Sequence, residues 1–503
     1  MILTNSSAAK VGNSNASAIA SATASFRQFM VYSATTISAV ISGTIGLIKN
    51  GTGALTISGN NTYTGTTTIS AGTLKNGSAS AFSSGSALTI NAGIFDLNGF
   101  NATVASLGVG NAAGTITNSA SGSGTNTITI LNYNAAVASL ITDGSTAKTN
   151  VTINNNGGAY AISNANNTFS GGFTIAYGGS GGGSRLYQGS ITNTVVGGVL
   201  TKSNIGTGTL TIGATGSTAN AQLYLNSGAI YNNIIVNAPQ YADGGAAAFR
   251  LDGTGIQFYG TMTANSSSIS FSSQFTGTAT LNGQLTGTNG LLLKTPVGAS
   301  ATFTLTLANT LNPINNYSGN TTTSTRTTIA LSAVTQIPNG TGKGNVVNNG
   351  TLTLGGLSHT INGLSGSGTI DGVSGTPTLT IGDNNATGSF SGVIKNTAGT
   401  LSVTKIGTGS LTLTGANTYT GATSISDGII IVPKTTGAST ATATFSATLS
   451  VSFNVSPPSG ITTFRFFQGT TTNSYASVTL VGVPVGTTAT YTSATSTLTV
   501  IVP

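Results

Sequence analysis

Hydrolysis, metal binding and acid–base chemistry need carboxylates, imidazoles or thiols held close together, and this chain has few of them. Its seven acidic residues are all aspartate, it has one histidine, and it has no cysteine. A glycoside-cleaving site needs two carboxyl groups flanking the scissile bond. A calcium site needs several oxygen ligands converging on one point. Asp143, Asp243, Asp252, Asp371 and Asp427 each precede glycine, and Asp383 precedes asparagine. Such dipeptides are turn signatures. Only Asp96 falls inside a strand-like pattern. The carboxylates therefore predict turn chemistry, with no catalytic residue, no metal site and no cofactor.

The remaining candidates point the same way. His359 occupies a position where a second copy of the same unit has Ala102, which predicts a surface or loosely packed side chain. Gly178-Gly179-Ser180-Gly181-Gly182 spells the nucleophile pattern G-x-S-x-G, but it sits in a glycine run without the strand-to-helix context that pattern requires. A flexible loop is expected there. Gly342-Lys343-Gly344 lacks the hydroxyl residue of a phosphate loop. Without cysteine, neither disulfides nor thiolate sites are available. Four aromatics recur in similar surroundings, Tyr63, Phe169, Tyr317 and Tyr419. Exposed tyrosines could stack on sugars, but interchange of Tyr with Phe favours packing at a repeated corner.

Those aromatics belong to an internal repeat. Residues 49–74 read KNGTGALTISGNNTYTGTTTISAGTL, and residues 405–430 read KIGTGSLTLTGANTYTGATSISDGII. Gly51, Gly53, Leu55, Gly59, Asn61, Tyr63 and Gly65 recur as Gly407, Gly409, Leu411, Gly415, Asn417, Tyr419 and Gly421. These fourteen are the structural repeat positions. Weaker copies surround Phe169 and Tyr317. A second unit follows the first in both halves, ALTINAGIFDLNGFNATVASL at 87–107 and GNVVNNGTLTLGGLSHTINGL at 344–364. Leu55 and Ile57 alternate with Thr56 and Ser58, as in a half-buried strand. Gly and Asn then supply the turns. Strands this short cannot bury a core singly, whereas stacked coils share one. The expected fold is all-β, a right-handed parallel β-helix.

The string GTGxLTLSGxNTYTGxTTIxxGTL, read from these two copies, resembles the passenger-associated repeat of autotransporter proteins. NNGTLxLxGxxxTIxGLxGSGTI resembles it as well. The resemblance extends over most of residues 37–435 and implies a parallel β-helix, secretion and display outside a bacterial cell, with adhesive or scaffolding roles. Autotransporters end in a membrane barrel, and none is expected within these 503 residues.

The expected organisation is an N-terminal cap or docking arm at 1–36, the β-helix at 37–438 and a small C-terminal β-sandwich or open sheet at 439–503. Strands are expected around 445–455, 463–467, 477–481, 489–492 and 496–502. Only 4% of residues are charged, against roughly 25% in ordinary domains. Hydrophobic residues reach 38% and mean hydropathy is +0.23, too apolar for a disordered chain. The net charge of +8 is scattered, so no basic stripe for nucleic acid exists. No apolar run of about 18 residues provides a membrane span, and Met1-Ile2-Leu3 leads into Thr and Asn without a basic start and apolar centre. The sequence thus predicts an extracellular or cell-surface structural protein that associates with itself, head to tail, into a fibre, sheath or array. The alternative is a monomeric surface adhesin binding glycans or cell surfaces, with loops 177–186 and 240–250 carrying recognition. A glycan-active enzyme is the third reading.

Overall fold

The computed structural model describes residues 2–5, 9–11, 26–108, 114–131, 136–154, 159–176, 184–216, 220–237, 247–309 and 314–431, together with strands at 449–452, 460–465, 478–481, 488–492 and 497–502. Every described regular element is a strand, and the ladders are those of a parallel β-solenoid. The chain divides into two compact units, Met1–Arg250 and Leu251–Pro503.

In the first unit, one ladder runs Ile2–Asn5, Phe26–Val31, Gly46–Asn50, Thr67–Ile69 and Leu88–Ile90. A second runs from Ala9–Val11 through Thr35–Ile37, Ala54–Ile57, Thr73–Asn76, Gly93–Asp96 and Gly114–Thr117 to Leu140–Ile141. All these pairings are parallel, and the residues expected as an N-terminal cap contribute the first strand of each ladder. The alternation read from sequence sets which side faces in, since Leu55 and Ile57 are buried while Ala54 and Thr56 are half-buried. Parallel register then aligns the inward residues in columns. Leu55, Leu74, Phe95, Ile116 and Ile141 stand in one such column, each fully buried. Each buried side chain of this size stabilises the fold by about 1.5–3 kcal/mol.

One element interrupts the parallel order. Asn193–Val196 pairs antiparallel with Val199–Ser203. Gly197 and Gly198 turn the chain at φ of 58° and 82°, the doubly positive geometry of a tight hairpin. Val196 and Val199 at its tip are 63% and 64% exposed. The ladder closes behind the hairpin, with Phe173 pairing with Leu210 and Ile175 with Ile212.

The second unit repeats the plan. A column of Ala279, Leu305, Ile329, Leu352, Ile370 and Ile394 passes through six successive strands of one ladder. Another ladder runs His359–Ile361, Thr378–Ile381, Ser402–Lys405, Thr423–Ile425, Leu449–Ser452 and Val478–Val481, parallel throughout. Two strands of the expected C-terminal unit therefore continue the solenoid ladder. The others, Gly460–Arg465, Thr488–Thr492 and Thr497–Val502, form a three-stranded antiparallel sheet with Thr497–Val502 in the middle. That is the open-sheet form of the expectation.

Candidate functional site

The repeated corner is built first from asparagine. Asn61 Oδ1 accepts from Ile41 N at 2.7 Å in the preceding coil, and its Nδ2 donates to the Ala81 carbonyl at 2.5 Å in the following one. Asn167 does the same between Ile141 N and the Asn204 carbonyl, both at 2.8 Å. Asn315 bridges Leu285 N and the Gln336 carbonyl at 2.8 and 2.9 Å. Asn417 accepts from Ile394 N at 2.8 Å. One buried amide thus stitches coils together at a corner where strand pairing stops, leaving fewer buried groups unpaired.

Two residues on, the aromatic turns inward. Tyr63, Phe169, Tyr317 and Tyr419 are at most 1% exposed, so none presents a face to a ligand. The Tyr63, Tyr317 and Tyr419 hydroxyls bond Thr67, Thr321 and Thr423 at 2.9, 2.6 and 2.7 Å. Where phenylalanine replaces tyrosine, the partner changes too, and Phe169 packs on Phe173 with ring centroids 6.4 Å apart. Burial pushes the Tyr63 pKa up to about 12, and raises those of Tyr317 and Tyr419.

The repeat glycines mark where coils meet. A Cβ built on any of Gly51, Gly53, Gly59, Gly65, Gly407, Gly409, Gly415 or Gly421 would stand no more than 2.6 Å from a backbone atom of the preceding coil. Gly51 and Gly407 also adopt φ of 78° and 68°, where a side chain is strained. Leu55 and Leu411 fill the interior at 0% and 1% exposure.

Sequence reasoning gives no role to Lys49 and Lys405, yet both are fully buried. Lys49 Nζ donates to the carbonyls of Asn50, Gly51 and Ala71 at 3.0, 2.8 and 3.0 Å. Lys405 Nζ donates to those of Ile406 and Gly407 at 2.6 and 2.7 Å. A Cβ on Gly72 or Gly428 would stand 2.7 or 2.8 Å from the ammonium of the coil before, so those glycines keep room for it. Burial lowers the Lys49 pKa to about 8. It also lowers that of Lys405, against the opposing pull of Asp427. The signal in the sequence is lysine repeated at one place in a chain that rarely uses it.

The carboxylates serve as staples between coils, and two expectations need correcting. Asp371 was expected in a turn but lies within the strand Thr369–Gly372. It accepts from Thr397 N and Oγ1 at 2.8 and 2.6 Å, and pairs with Lys395 at 3.1 Å. The following glycine provides no turn because parallel pairing with Lys395 and Asn396 holds both residues extended. Asp96 is its equivalent in the first unit, accepting from Ser119 N and Oγ at 2.9 and 2.5 Å beside Lys75 at 3.2 Å. Asp143 binds Ser170 N and Oγ, the latter at 2.6 Å. Asp252 accepts from Gln274 N at 2.6 Å. Asp383 and Asp427 lie in a turn and a bend. Among the described residues, no group of three or more Asp or His side chains is placed to hold a metal ion. Asp243 and the G-x-S-x-G stretch lie outside the described residues, as do 177–183 and 240–246 of the two expected recognition loops.

His359 is the second correction. It is 4% exposed, begins a strand and stands in register with buried Leu379. Its Nε2 lies 3.1 Å from the Leu354 carbonyl. Burial depresses its pKa, opposed by that hydrogen bond. The small Ala102 fills the same inward position in the other copy of the unit, 4% exposed, so exchange with alanine reflects room in the core and not exposure.

Residues 47–75 and 403–432 match the family model of the passenger-associated-transport-repeat. Each matched stretch contains a carbonyl-bound lysine, the close-contact glycines, an asparagine bonded to the backbone of the coil before and the tyrosine–threonine pair. An 81-residue stretch is 46% identical to the adhesin BmaC autotransporter of Brucella suis biovar 1 (strain 1330), covering 16% of this chain and 2% of that adhesin. The chain therefore spans only a small part of the relative it matches. Among solved structures, the Hap adhesin of Haemophilus influenzae aligns over 95% of this chain and 64% of its own, at 12% identity and a TM-score of 0.24.

Proposed function

We propose that this chain is a non-enzymatic, cell-surface passenger protein whose solenoid carries adhesive contacts. The observation that carries this reading is the pair of stretches matching the transport-repeat model, built to one design, together with an 81-residue stretch 46% identical to an autotransporter adhesin. The side chains repeated within them are all engaged inside the solenoid: asparagine and lysine on backbone, tyrosine on threonine, glycine against the backbone of the coil before. Contact with a partner then falls to segments outside the repeat. Beads coated with the purified chain are expected to adhere to cultured epithelial cells above albumin-coated beads. Equal adhesion of the two would overturn the reading. Absence of catalysis is checked with a polysaccharide panel, where release of reducing sugar that disappears on Asp371→Asn or Asp143→Asn would contradict it.

Self-assembly into a fibre or array is a second reading, supported by the antiparallel sheet. Gly460–Arg465 and Thr488–Thr492 each pair on one side only among the described strands, and an open edge is a template for another chain. The 4% charge offers little repulsion between copies. Light scattering over rising concentration should show growing particles. A constant monomer mass would remove this reading and leave the adhesive one intact.

A further inference from the structure

Phe275 differs in exposure from Phe271 and Phe303. Phe271 and Phe303 are fully buried, whereas Phe275 is 59% exposed and Val297 nearby is 44% exposed. Phe275 borders an open cavity of about 340 Å³, lined also by Gln274, Thr276, Ser300 and the small residues 298, 299 and 301. Small-ligand sites begin at roughly this volume, ~300 Å³.

The far wall of the cavity is held in place. Val297 N donates to the Ser273 carbonyl at 2.9 Å, and Gly298 N to the Gln274 carbonyl at 3.1 Å. A Cβ on Gly298 would collide with that carbonyl, so the wall can approach only as glycine. Arg326 ties the same loop from beneath, donating to the carbonyls of Pro296, Gly298 and Ala301. It does so from a backbone φ of 62°, a strained conformation for a residue that carries a side chain. A clamp held under strain keeps the loop in one shape.

The lining identifies the ligand class. None of the seven lining residues is charged, so an ionic ligand would meet no counter-charge. An exposed ring offers a flat apolar face, while Thr276 and Ser300, both exposed, offer hydroxyl groups around it. A pyranose has the matching surfaces, an apolar C–H face and a rim of hydroxyls. We propose that this corner, residues 274–276 facing loop 296–301, binds the ring of an uncharged sugar stacked on Phe275. The proposal gives the adhesive reading a ligand and rests on it.

Saturation-transfer NMR on the full chain tests it, with the methyl pyranosides of glucose, galactose and mannose as probes. Transfer to the ring C–H protons of at least one sugar is expected. Phe275→Ala should reduce that transfer roughly fivefold or more, and Phe275→Trp should retain it. Because the ring is exposed, both variants should melt with the parent chain, which separates lost binding from lost fold. No transfer from the parent chain, or equal transfer in Phe275→Ala, overturns the site. Loss of self-association in Phe275→Ala, with no sugar signal in the parent, also overturns it and makes the patch a contact between copies. Bead adhesion is scored separately. Adhesion that survives without any sugar signal sinks the sugar site alone, and a sugar signal without adhesion sinks the adhesive reading alone.

Discussion

A buried tyrosine hydroxyl is stabilising only if its partner is buried with it. Thr321 and Tyr317 form such a pair, and Phe169 with Phe173 shows the other consistent choice. Tyr317→Phe alone leaves the Thr321 hydroxyl without this bond and should cost about 1 kcal/mol in denaturant titration. Adding Thr321→Val should recover most of that loss; additive losses would mean that the hydroxyls act independently. The buried lysines make a pH prediction. Lys49 is depressed from 10.5 to about 8 in the folded chain, so between those values the folded chain binds fewer protons than the unfolded one. Its contribution to stability is present above pH 10.5 and is lost as the pH falls through about 8. Tyr63 has the opposite sense. Raised from 10.0 to about 12, its contribution is full below pH 10 and is lost as the pH rises through 12. The melting temperature should therefore climb from pH 8 towards 10 and decline beyond. Lys49→Met should flatten the climb, and an unchanged pH profile in that variant would exclude Lys49 as a cause. The asparagines and tyrosines could be read from the sequence because they recur with fixed spacing. His359 and Asp371 could not, because the sequence alone does not say which neighbour a coil brings into register.

A coil closes only where its neighbour leaves room, so the glycines set the limits of the element. A Cβ on Gly65 would collide with the backbone at Ile45 and Gly46, whereas one on Gly122 would meet nothing within 4 Å. Gly65→Ala should destabilise by about 3 kcal/mol, and Gly122→Ala should stay within about 0.5 kcal/mol of the parent. Equal effects in thermal melts would mean that coil spacing is not glycine-limited. The strands themselves were largely readable. Expected strands near 477–481, 489–492 and 496–502 correspond to Val478–Val481, Thr488–Thr492 and Thr497–Val502. Their alternation states that they are strands but not which way they pair. For that reason Leu449–Ser452 and Val478–Val481 were assigned to a separate unit and lie in the solenoid ladder instead. The hairpin carried a readable signal, Gly197-Gly198 between valines. The Phe275 corner carried none, since loop 296–301 belongs to no repeat and its clamp comes from Arg326 one coil later.

Across the whole chain, cohesion comes from apolar columns, backbone pairing and amide bridges, with few charges to screen. Raising sodium chloride from about 0.05 M to about 0.5 M should move the melting temperature by no more than about 2 °C. A larger fall would assign real weight to pairs such as Lys395–Asp371. The same economy separates what holds the molecule from what it presents. After Ser184–Ile191, itself paired in a parallel ladder, the chain forms the antiparallel hairpin 193–203 and then enters the next ladder in register, Leu210 opposite Phe173 and Ile212 opposite Ile175. Side chains added at Gly197 and Gly198 would meet nothing within 4 Å. The hairpin tip is therefore expected to act as a socket, a point where cargo sequence can be exchanged without rewriting the scaffold. A short foreign epitope replacing Val196–Val199 should be displayed to antibody on a chain that melts like its parent, and the same transplant into Gly51–Gly53 should not fold.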